Sequence, residues 1–356
     1  MRVSRGQQQA RTRTAVLVAA RAEFAEHGYA EAKINRIAER AELTRGAVYS
    51  NFTGKRALYL AVLLAAAQPA PDRPGLTDQP DLPDQPGLTD QSDLPDAVEA
   101  FARLRLDRLP MATGAASAGR LAARSLTGVF DDERGRAALA QITRLEALLL
   151  SHALGRGRRS AELILTMLHG AATLAETAPG FGDPFDVARA CRHLAGLDLP
   201  DTGDPPHLPF VPAARPVREP WHPPGEMTDE LSGRPVTIGD GIVVALGTGR
   251  LGAAEEAARL GEDVTVALVS DDPAETGALV RLRVTDLTAS LRRVFGPAIR
   301  PSLRLVLDDQ GTLASAIGAA TTFETETSVR VRGGEVVSRA DGRGATYAVA
   351  TAGDER

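Results

Sequence analysis

The sequence predicts a multidomain chain in which an all-α N-terminal part is followed by a small α/β domain. Its 356 residues exceed the length of one ordinary core. Apolar side chains recur at three- and four-residue spacing through residues 14–67 and 97–197, as in amphipathic helices. After residue 231, short apolar runs typical of strands alternate with helical stretches. We therefore expect three folding units joined by linkers.

Composition excludes several classes of protein. Apolar residues make up 43 % and charged residues 24 % of the chain, as in soluble globular proteins. No apolar run reaches the roughly 18 residues of a membrane helix, and no signal-peptide core follows the N-terminal arginines, so a cytoplasmic location is expected. Cys191 is the only cysteine, which excludes an intramolecular disulfide and a CxxC pair. His152, His169 and His193 lack metal-ligand spacing, and no metal site is predicted.

Charge is distributed unevenly along the chain. Residues 1–60 hold eleven Lys and Arg against five Glu, a balance of +6. Since the net charge of the whole chain is −5, the other 296 residues carry a net charge of −11. Residues 1–13 form an acid-free basic arm with Arg2, Arg5, Arg11 and Arg13. A basic head on an acidic body is typical of a chain whose head alone approaches nucleic acid. The alternative is a cluster of solvated surface charge.

Two segments read as linkers. Residues 68–96 contain a duplicated twelve-residue unit rich in Pro and Asp, PGLTDQPDLPDQ followed by PGLTDQSDLPD. Such a composition buries too little apolar surface to offset chain entropy, so disorder or an extended chain is predicted. Residues 199–230 include nine prolines between positions 200 and 224, which predicts a second linker.

Residues 11–67 have the pattern of a helix-turn-helix. A first helix, RTAVLVAARAEFAEHG, ends at Gly28, where a positive φ is expected. A second, KINRIAERA, is followed by a short turn and by Thr44, a good N-cap for a third helix, RGAVYSNF. Two short helices joined by a three- to four-residue turn are what a helix-turn-helix requires.

The third helix carries the chemistry of DNA recognition. Its hydroxyl, guanidinium and amide groups suit phosphates and base edges, and its small residues allow close backbone approach. The apolar residues Val48 and Phe52 are one helical turn apart, which predicts that their side of the third helix faces the core. Core packing is the alternative for Tyr49. The candidate DNA-binding residues are Thr44, Arg45, Gly46, Ala47, Tyr49 and Asn51, with Lys55 at the start of the following helix.

Over some fifty residues this region resembles the head of the TetR family of bacterial repressors. The shared features are Phe24, Gly28-Tyr29, Ile37-Ala38, Gly46, Tyr49-x-x-Phe52 and Lys55. The resemblance implies that residues 44–51 form the recognition helix, with Tyr49 and Lys55 on phosphates and Lys33 near the DNA backbone. The sequence departs from the family at Ala32-Lys33, where a Ser or Thr cap is usual, and at Glu42, where Gly is usual.

Residues 97–198 are predicted to be an all-helical effector and dimerisation body. In the TetR family such helices form an effector pocket and a dimer interface. The stretch AELILTMLHGAATLAE, with small residues at Gly170, Ala171 and Ala172, suits close packing against a twin helix. Reading a palindromic operator requires two heads, so a homodimer is expected.

Residues 231–352 are predicted to form the α/β domain, and they contain the motif GTGRLG. The motif follows the strand IVVAL, and Asp271 lies nineteen residues after Gly252. These are elements of a dinucleotide fingerprint, which makes Gly247, Gly249, Gly252 and Asp271 weak candidates for cofactor binding in a Rossmann-like fold. Three features argue against a dinucleotide site. The position four residues after Gly252 is the bulky Glu256, Arg250 intrudes into the glycine loop, and residues 231–352 are too few for the usual six strands. No cofactor is therefore predicted.

A second resemblance competes with the Rossmann-like interpretation. The strand, Asp-x-x-Gly turn, short helix and Gly333-Gly334 hairpin of LRLVLDDQGTLASAIGAATTFETETSVRVRGGEVVSRADGRG are similar to the tail of thioredoxin- and peroxiredoxin-like domains. Both redox cysteines and the proline before the hairpin are missing, which implies a thioredoxin-like fold without its active site. The expected role is a binding or oligomerisation module on a flexible tether, and TYAVA is predicted as its last strand.

The sequence favours a transcription regulator over an enzyme. We expect a ligand-responsive repressor that binds a palindromic operator as a homodimer, with an unidentified small-molecule effector. No nucleophile triad or phosphate-cradling GxxxxGK[ST] loop is present. The alternative is a DNA-tethered enzyme or sensor that uses its α/β domain for redox or nucleotide-cofactor chemistry.

Overall fold

The N-terminal head is a bundle of four helices in the computed structural model. The structure describes residues 5–67, 93–109, 121, 125–126, 128–199, 213–259, 263–296 and 302–352. Helix α1 spans Arg5–Glu31, α2 Ile34–Arg40, α3 Arg45–Tyr49 and α4 Lys55–Ala67. Gly28 has a φ of 69° and interrupts α1, as predicted. Residues 5–13 of the predicted basic arm belong to α1, and residues 1–4 lie outside the described residues.

Among the described residues of the body, four further helices have defined bounds. Helix α5 spans Leu94–Leu106, α6 Glu133–Leu154, α7 Arg158–Thr177 and α8 Pro184–Ala195. Asp132 caps α6 by accepting a hydrogen bond from the Gly135 N–H at 2.8 Å, and Gly155 ends it in the left-handed conformation. Cys191 is buried on α8, and this burial raises the pKa of its thiol to about 11. A structural role for this cysteine follows.

The C-terminal domain contains a mixed six-stranded sheet. Its strands run in the order β1-β8-β7-β4-β5-β6. Strands β4, β5 and β6 are parallel neighbours, and β7 pairs antiparallel with both β4 and β8. These five strands span Gly241–Gly247 (β4), Val264–Val269 (β5), Leu303–Leu307 (β6), Glu326–Arg332 (β7) and Glu335–Asp341 (β8). The predicted strands in IVVAL, VTVALVS, LRLVLDD and the Gly-Gly hairpin lie at these positions.

Helices and a small second sheet complete the domain. Strand β1 spans Arg215–Pro220, and β2 (Glu226–Asp229) pairs with β3 (Arg234–Thr237). A 3-10 turn at Leu251–Ala253 leads into α9, Ala254–Ala258, and a π-type turn at Pro273–Gly277 leads into α10, Ala278–Phe295. Helix α11 spans Thr312–Ala316 and α12 Ala345–Thr351.

The structure differs from both predicted linkers at their ends. Strands β1 and β2 lie within residues 199–230, and β1 supplies the sixth strand for which the range 231–352 had no room. Because β1 is an edge strand, the missing N–H groups of Pro216 and Pro220 are tolerated there. In the first linker, α5 already begins at Leu94. Residues 68–92 and 200–212 lie outside the described residues.

The segment TYAVA is helical, contrary to the predicted strand. It lies in α12, which begins after Gly344 at a φ of 83°. Ala345, Ala348 and Val349 are buried and share one helical face, which packs on β7 and β8. A five-residue apolar run does not distinguish a buried strand from one helical turn, so the contact with the sheet decides.

Helix α10 joins the α/β domain to the other two units. It packs against α4 of the head and against α5 and α6 of the body, and buried residues of all three units form one continuous apolar cluster. Arg283 on α10 binds Glu146 on α6, with its Nε donating to Oε1 at 2.8 Å. Asp286 on α10 binds Arg105 and Arg108 of the body. These contacts contradict a module held only by a flexible tether.

No helix among the described residues is long and apolar enough to cross a membrane. Within the same residues, no cluster of three or more His, Cys, Asp or Glu side chains is arranged to hold a metal ion.

Candidate nucleic-acid interface

The buried side of α3 fixes which of its residues face outward. Val48 is 1 % exposed and Phe52, just beyond the helix, is 5 % exposed, as predicted. Tyr49 is 47 % exposed, so core packing does not account for it. Arg45 lies one turn before Tyr49 and is exposed as well. A guanidinium and a phenol therefore project together from the head into solvent.

The start of α3 is capped as its sequence predicts. The Thr44 hydroxyl accepts a hydrogen bond from the Ala47 N–H at 3.2 Å, which satisfies one free donor of the first turn. Thr44 and Gly46 are exposed, and Ala47 is half-buried. The helix itself spans five residues, shorter than the predicted range 44–51, and Ser50 is its C-cap.

The turn between α2 and α3 is strained at Glu42. Its φ of 54° makes it the only non-glycine residue with a positive φ among the described residues. The Leu43 N–H donates to the Ala38 carbonyl at 2.9 Å and closes the turn. An L side chain in this left-handed conformation costs roughly 1–2 kcal/mol, whereas glycine adopts it freely.

Replacing Glu42 with glycine is expected to raise the free energy of unfolding by about 1 kcal/mol, because the strain disappears while the fold stays the same. Urea denaturation measures the change. Glu39→Gly is the matched control, since Glu39 lies inside α2 and glycine there should lower the free energy by about 1 kcal/mol. Destabilisation by Glu42→Gly would contradict the strained turn.

Glu23, which no motif in the sequence singles out, holds α2 in place. Helix α2 has no side-chain cap of its own at Lys33. Instead, the fully buried carboxylate of Glu23 on α1 accepts from the Lys33 N–H at 3.0 Å and from Arg36 Nε at 2.6 Å. Burial opposes its ionisation, but these hydrogen bonds prevail and lower the pKa of Glu23. One acid on a charge-rich helix gives no distinguishing signal in the sequence.

The remaining DNA-binding candidates fall into two groups. Lys33 is exposed, at the N-terminal end of α2. Asn51 and Lys55 have partners inside the head: Asn51 Nδ2 donates to the Ala47 carbonyl at 2.8 Å, and Lys55 Nζ donates to the Ala30 carbonyl at 2.9 Å. Burial lowers the pKa of Lys55. Arg13 Nη1 donates to the Asn51 carbonyl at 2.9 Å and so ties α1 to the end of the helix-turn-helix.

The weak candidates for cofactor binding in the α/β domain already have hydrogen-bond or ion-pair partners within the protein. The N–H groups of Gly247 and Gly249 donate to carbonyls of residues 325 and 323 at 2.8 Å, and the Gly252 N–H donates to Gln141 Oε1 at 2.8 Å. A Cβ at Gly247 would lie 2.1 Å from the Thr322 carbonyl oxygen. Close packing thus accounts for these glycines. Asp271 is already paired, because it forms an ion pair with Arg134.

Comparisons with known proteins identify the head. Residues 16–62 match the family model of bacterial regulatory proteins, tetR family. A solved structure described as a TetR-family transcriptional regulator, from Mesorhizobium loti MAFF303099, is 19 % identical over 55 % of this chain and 96 % of its own, with a TM-score of 0.25. No curated protein matches the chain. Residues 16–62, which include α2 and α3, are therefore similar to the tetR family of bacterial regulatory proteins.

Proposed function

We propose that this protein is a sequence-specific DNA-binding transcription regulator and not an enzyme. The observation that carries the proposal is the pair of exposed side chains Arg45 and Tyr49 on α3, within a head that matches the TetR family model. A helix docked in the major groove reads guanine edges through arginine, while lysine, tyrosine and backbone N–H groups bind phosphates. Arg45 then specifies sequence, and Tyr49, Thr44 and Lys33 position the helix on the DNA.

The exposed face of α7 supports the proposal of a homodimer. Leu163, Met167 and Leu174 are 38–41 % exposed, and together with Gly170 they form one stripe along the helix. A Cβ placed at Gly170 meets no atom within 4 Å. A stripe of this kind suits the same stripe on a second copy, because a two-fold interface is self-complementary. Two heads held in this way would read a palindromic operator.

Met167→Glu is expected to convert the dimer to a monomer, since it places two charges at the centre of a desolvated stripe. Size-exclusion chromatography with light scattering measures the mass. Val18→Glu is the control, because Val18 is 66 % exposed on α1, outside the stripe, and should leave the dimer intact. A monomeric wild type, or a dimeric Met167→Glu, would refute this interface.

A cavity between the body and α10 supports the proposal of a ligand-responsive repressor. It has a volume of about 270 Å³ and is lined by residues of α5, α7 and α10, among them Arg105, His169 and Asp286. Because α10 also packs on α4 of the head, a small molecule that displaced α10 would move the head. We propose this route for release of DNA by an effector.

The order of the strands supports a thioredoxin-like fold for the C-terminal domain. Three parallel strands, with the first in sequence at the inner position, are followed by an antiparallel hairpin beside that strand. Arg250, in the loop after β4, binds Glu326 of β7, with Nε donating at 2.9 Å. Since Cys191 lies in the body, this domain has no redox thiol. Its proposed role is structural and regulatory.

Retardation and footprinting of the DNA beside the protein's own gene test the proposed function. A protected palindrome is expected, with affinity that falls steeply as salt rises, because each phosphate contact releases counterions. Binding of equal strength to any DNA of the same length would contradict sequence-specific regulation.

A further inference from the structure

A groove at the junction of the body and the α/β domain carries an excess of positive charge. Its volume is about 400 Å³, within the range of small-ligand sites. Five arginines line it: Arg144, Arg158, Arg250, Arg259 and Arg343. They come from α6, α7, the loop after β4, the residue that follows α9 and the turn before α12, so the body and the α/β domain both contribute to one space. This groove is distinct from the cavity beside α10.

Carboxylates neutralise three of these arginines. Glu255 binds both Arg158 and Arg259, and Glu326 binds Arg250. Among the residues that the structure describes, Arg144 and Arg343 form no ion pair with a carboxylate. The two are free to bind an anion, and they belong to different units, the body and the α/β domain.

The wall beside Arg144 is rigid. The Gly252 N–H donates to Gln141 Oε1 at 2.8 Å, which fixes the 3-10 turn on α6. A Cβ at Gly252 would lie 3.3 Å from Arg144 Cδ, so the arginine stem packs on the bare glycine backbone. Gly252, the last glycine of the GTGRLG motif, therefore allows Arg144 and α6 to pack closely against the α/β domain. Its N–H is hydrogen-bonded to Gln141.

We propose that this groove binds a small phosphate-bearing anion that bridges Arg144 of the body and Arg343 of the α/β domain. Guanidinium groups bind phosphate oxygens in a bidentate manner and remain charged, so two free arginines across a groove match a polyphosphate. Such a ligand would add a direct link between two units. Binding does not depend on the proposed DNA-binding function, and it is measured without DNA.

Glu256 makes the site sensitive to pH. Its Oε2 is buried and has no hydrogen-bond partner among the described residues. Burial and the nearby Glu326 raise the pKa of Glu256 to about 7, Glu255 adds to the rise, and Arg250 and Arg343 oppose it. Below pH 7 the carboxyl becomes neutral and the positive charge of the groove increases. Anion affinity therefore rises as the pH falls from 8 to 6.

Isothermal titration calorimetry of the full chain with inorganic pyrophosphate, and separately with ADP, tests the proposal. The double variant Arg144→Gln/Arg343→Gln is expected to bind pyrophosphate about tenfold more weakly or worse. Arg136→Gln, on α6 but outside the groove, is the matched control and should bind as the wild type does. Thermal melting verifies that every variant is folded. Tighter binding of ADP than of pyrophosphate would identify a nucleotide as the ligand, and the reverse order a free polyphosphate.

The pH arm compares the wild type with Glu256→Gln at pH 6 and pH 8. Ionisation of pyrophosphate itself affects both proteins equally, so the difference between them isolates Glu256. The wild type is expected to lose about threefold to tenfold more affinity than the variant on going to pH 8. Absence of binding of either anion at millimolar concentration, or unchanged affinity in the folded double variant, would overturn the proposal.

Discussion

Replacing Arg45 with alanine is expected to weaken binding to the protected operator by about 1–3 kcal/mol, and adding Tyr49→Ala should abolish retardation at the concentrations that saturate the wild type. Both side chains are exposed, and the Arg45 guanidinium has no ion pair among the described residues, so neither substitution leaves a hole or an unpaired buried charge. The loss falls on DNA contacts alone. Competition retardation assays against a scrambled fragment of the same length measure it.

The control for this prediction is Arg189→Ala, which removes an exposed positive charge from α8 of the body. It should leave operator affinity within about twofold, since only the head is proposed to touch DNA. Light scattering and melting temperature should be unchanged in all three variants. Full operator binding by the folded double variant would show that α3 does not read the DNA.

Arg283→Met is expected to lower the free energy of unfolding by about 3–5 kcal/mol, the largest effect on stability predicted for this chain. Glu146 is 1 % exposed, and Arg283 binds it through two nitrogens across the interface between α6 and α10. Burial disfavours the charged carboxylate, but Arg283 outweighs that effect and lowers the pKa of Glu146. Without the guanidinium a buried charge stays uncompensated.

Urea denaturation at pH 7 measures the loss, and Arg281→Met provides the control on the same helix. Arg281 binds Asp309 at the surface, where both side chains are 35 % or more exposed, so its loss should cost less than about 1 kcal/mol. Because the folded-state pKa of Glu146 lies below its ordinary value, the contribution of the pair is complete at neutral pH and is lost as the pH falls through that lowered pKa. Equal effects of both substitutions would show that the α6–α10 pair is not a buried contact.

Local signals accounted for the elements that pack on their nearest neighbours. The three- and four-residue spacing around Phe24 and Ile37, the break at Gly28 and the cap at Thr44 all depend on residues a few positions apart, and the structure contains each of them. The Gly333-Gly334 hairpin follows for the same reason. The burial of Val48 and the exposure of Tyr49 likewise follow from the helical periodicity of α3 alone.

Local sequence patterns gave wrong predictions where a contact with a distant segment decides the secondary structure. TYAVA is a helix because the sheet covers its apolar face, and the prolines of residues 215–220 enter a strand because an edge position needs fewer N–H donors. The glycines of GTGRLG resemble a phosphate loop, but residues 322–325 approach them too closely for any side chain. The buried cap formed by Glu23 and the ion pair between Glu146 and Arg283 join residues that nothing in the sequence associates.

The sequence by itself therefore determined the helix-turn-helix head and its outward residues Arg45 and Tyr49, because local periodicity, capping and turn length specify such a unit. Only the tertiary structure decided how the α/β domain packs against the rest of the protein. It packs against head and body through α10, and it forms with α6 a groove whose arginines lie far apart in the chain. Burial of apolar surface between distant segments sets that arrangement, and no short stretch of sequence encodes it.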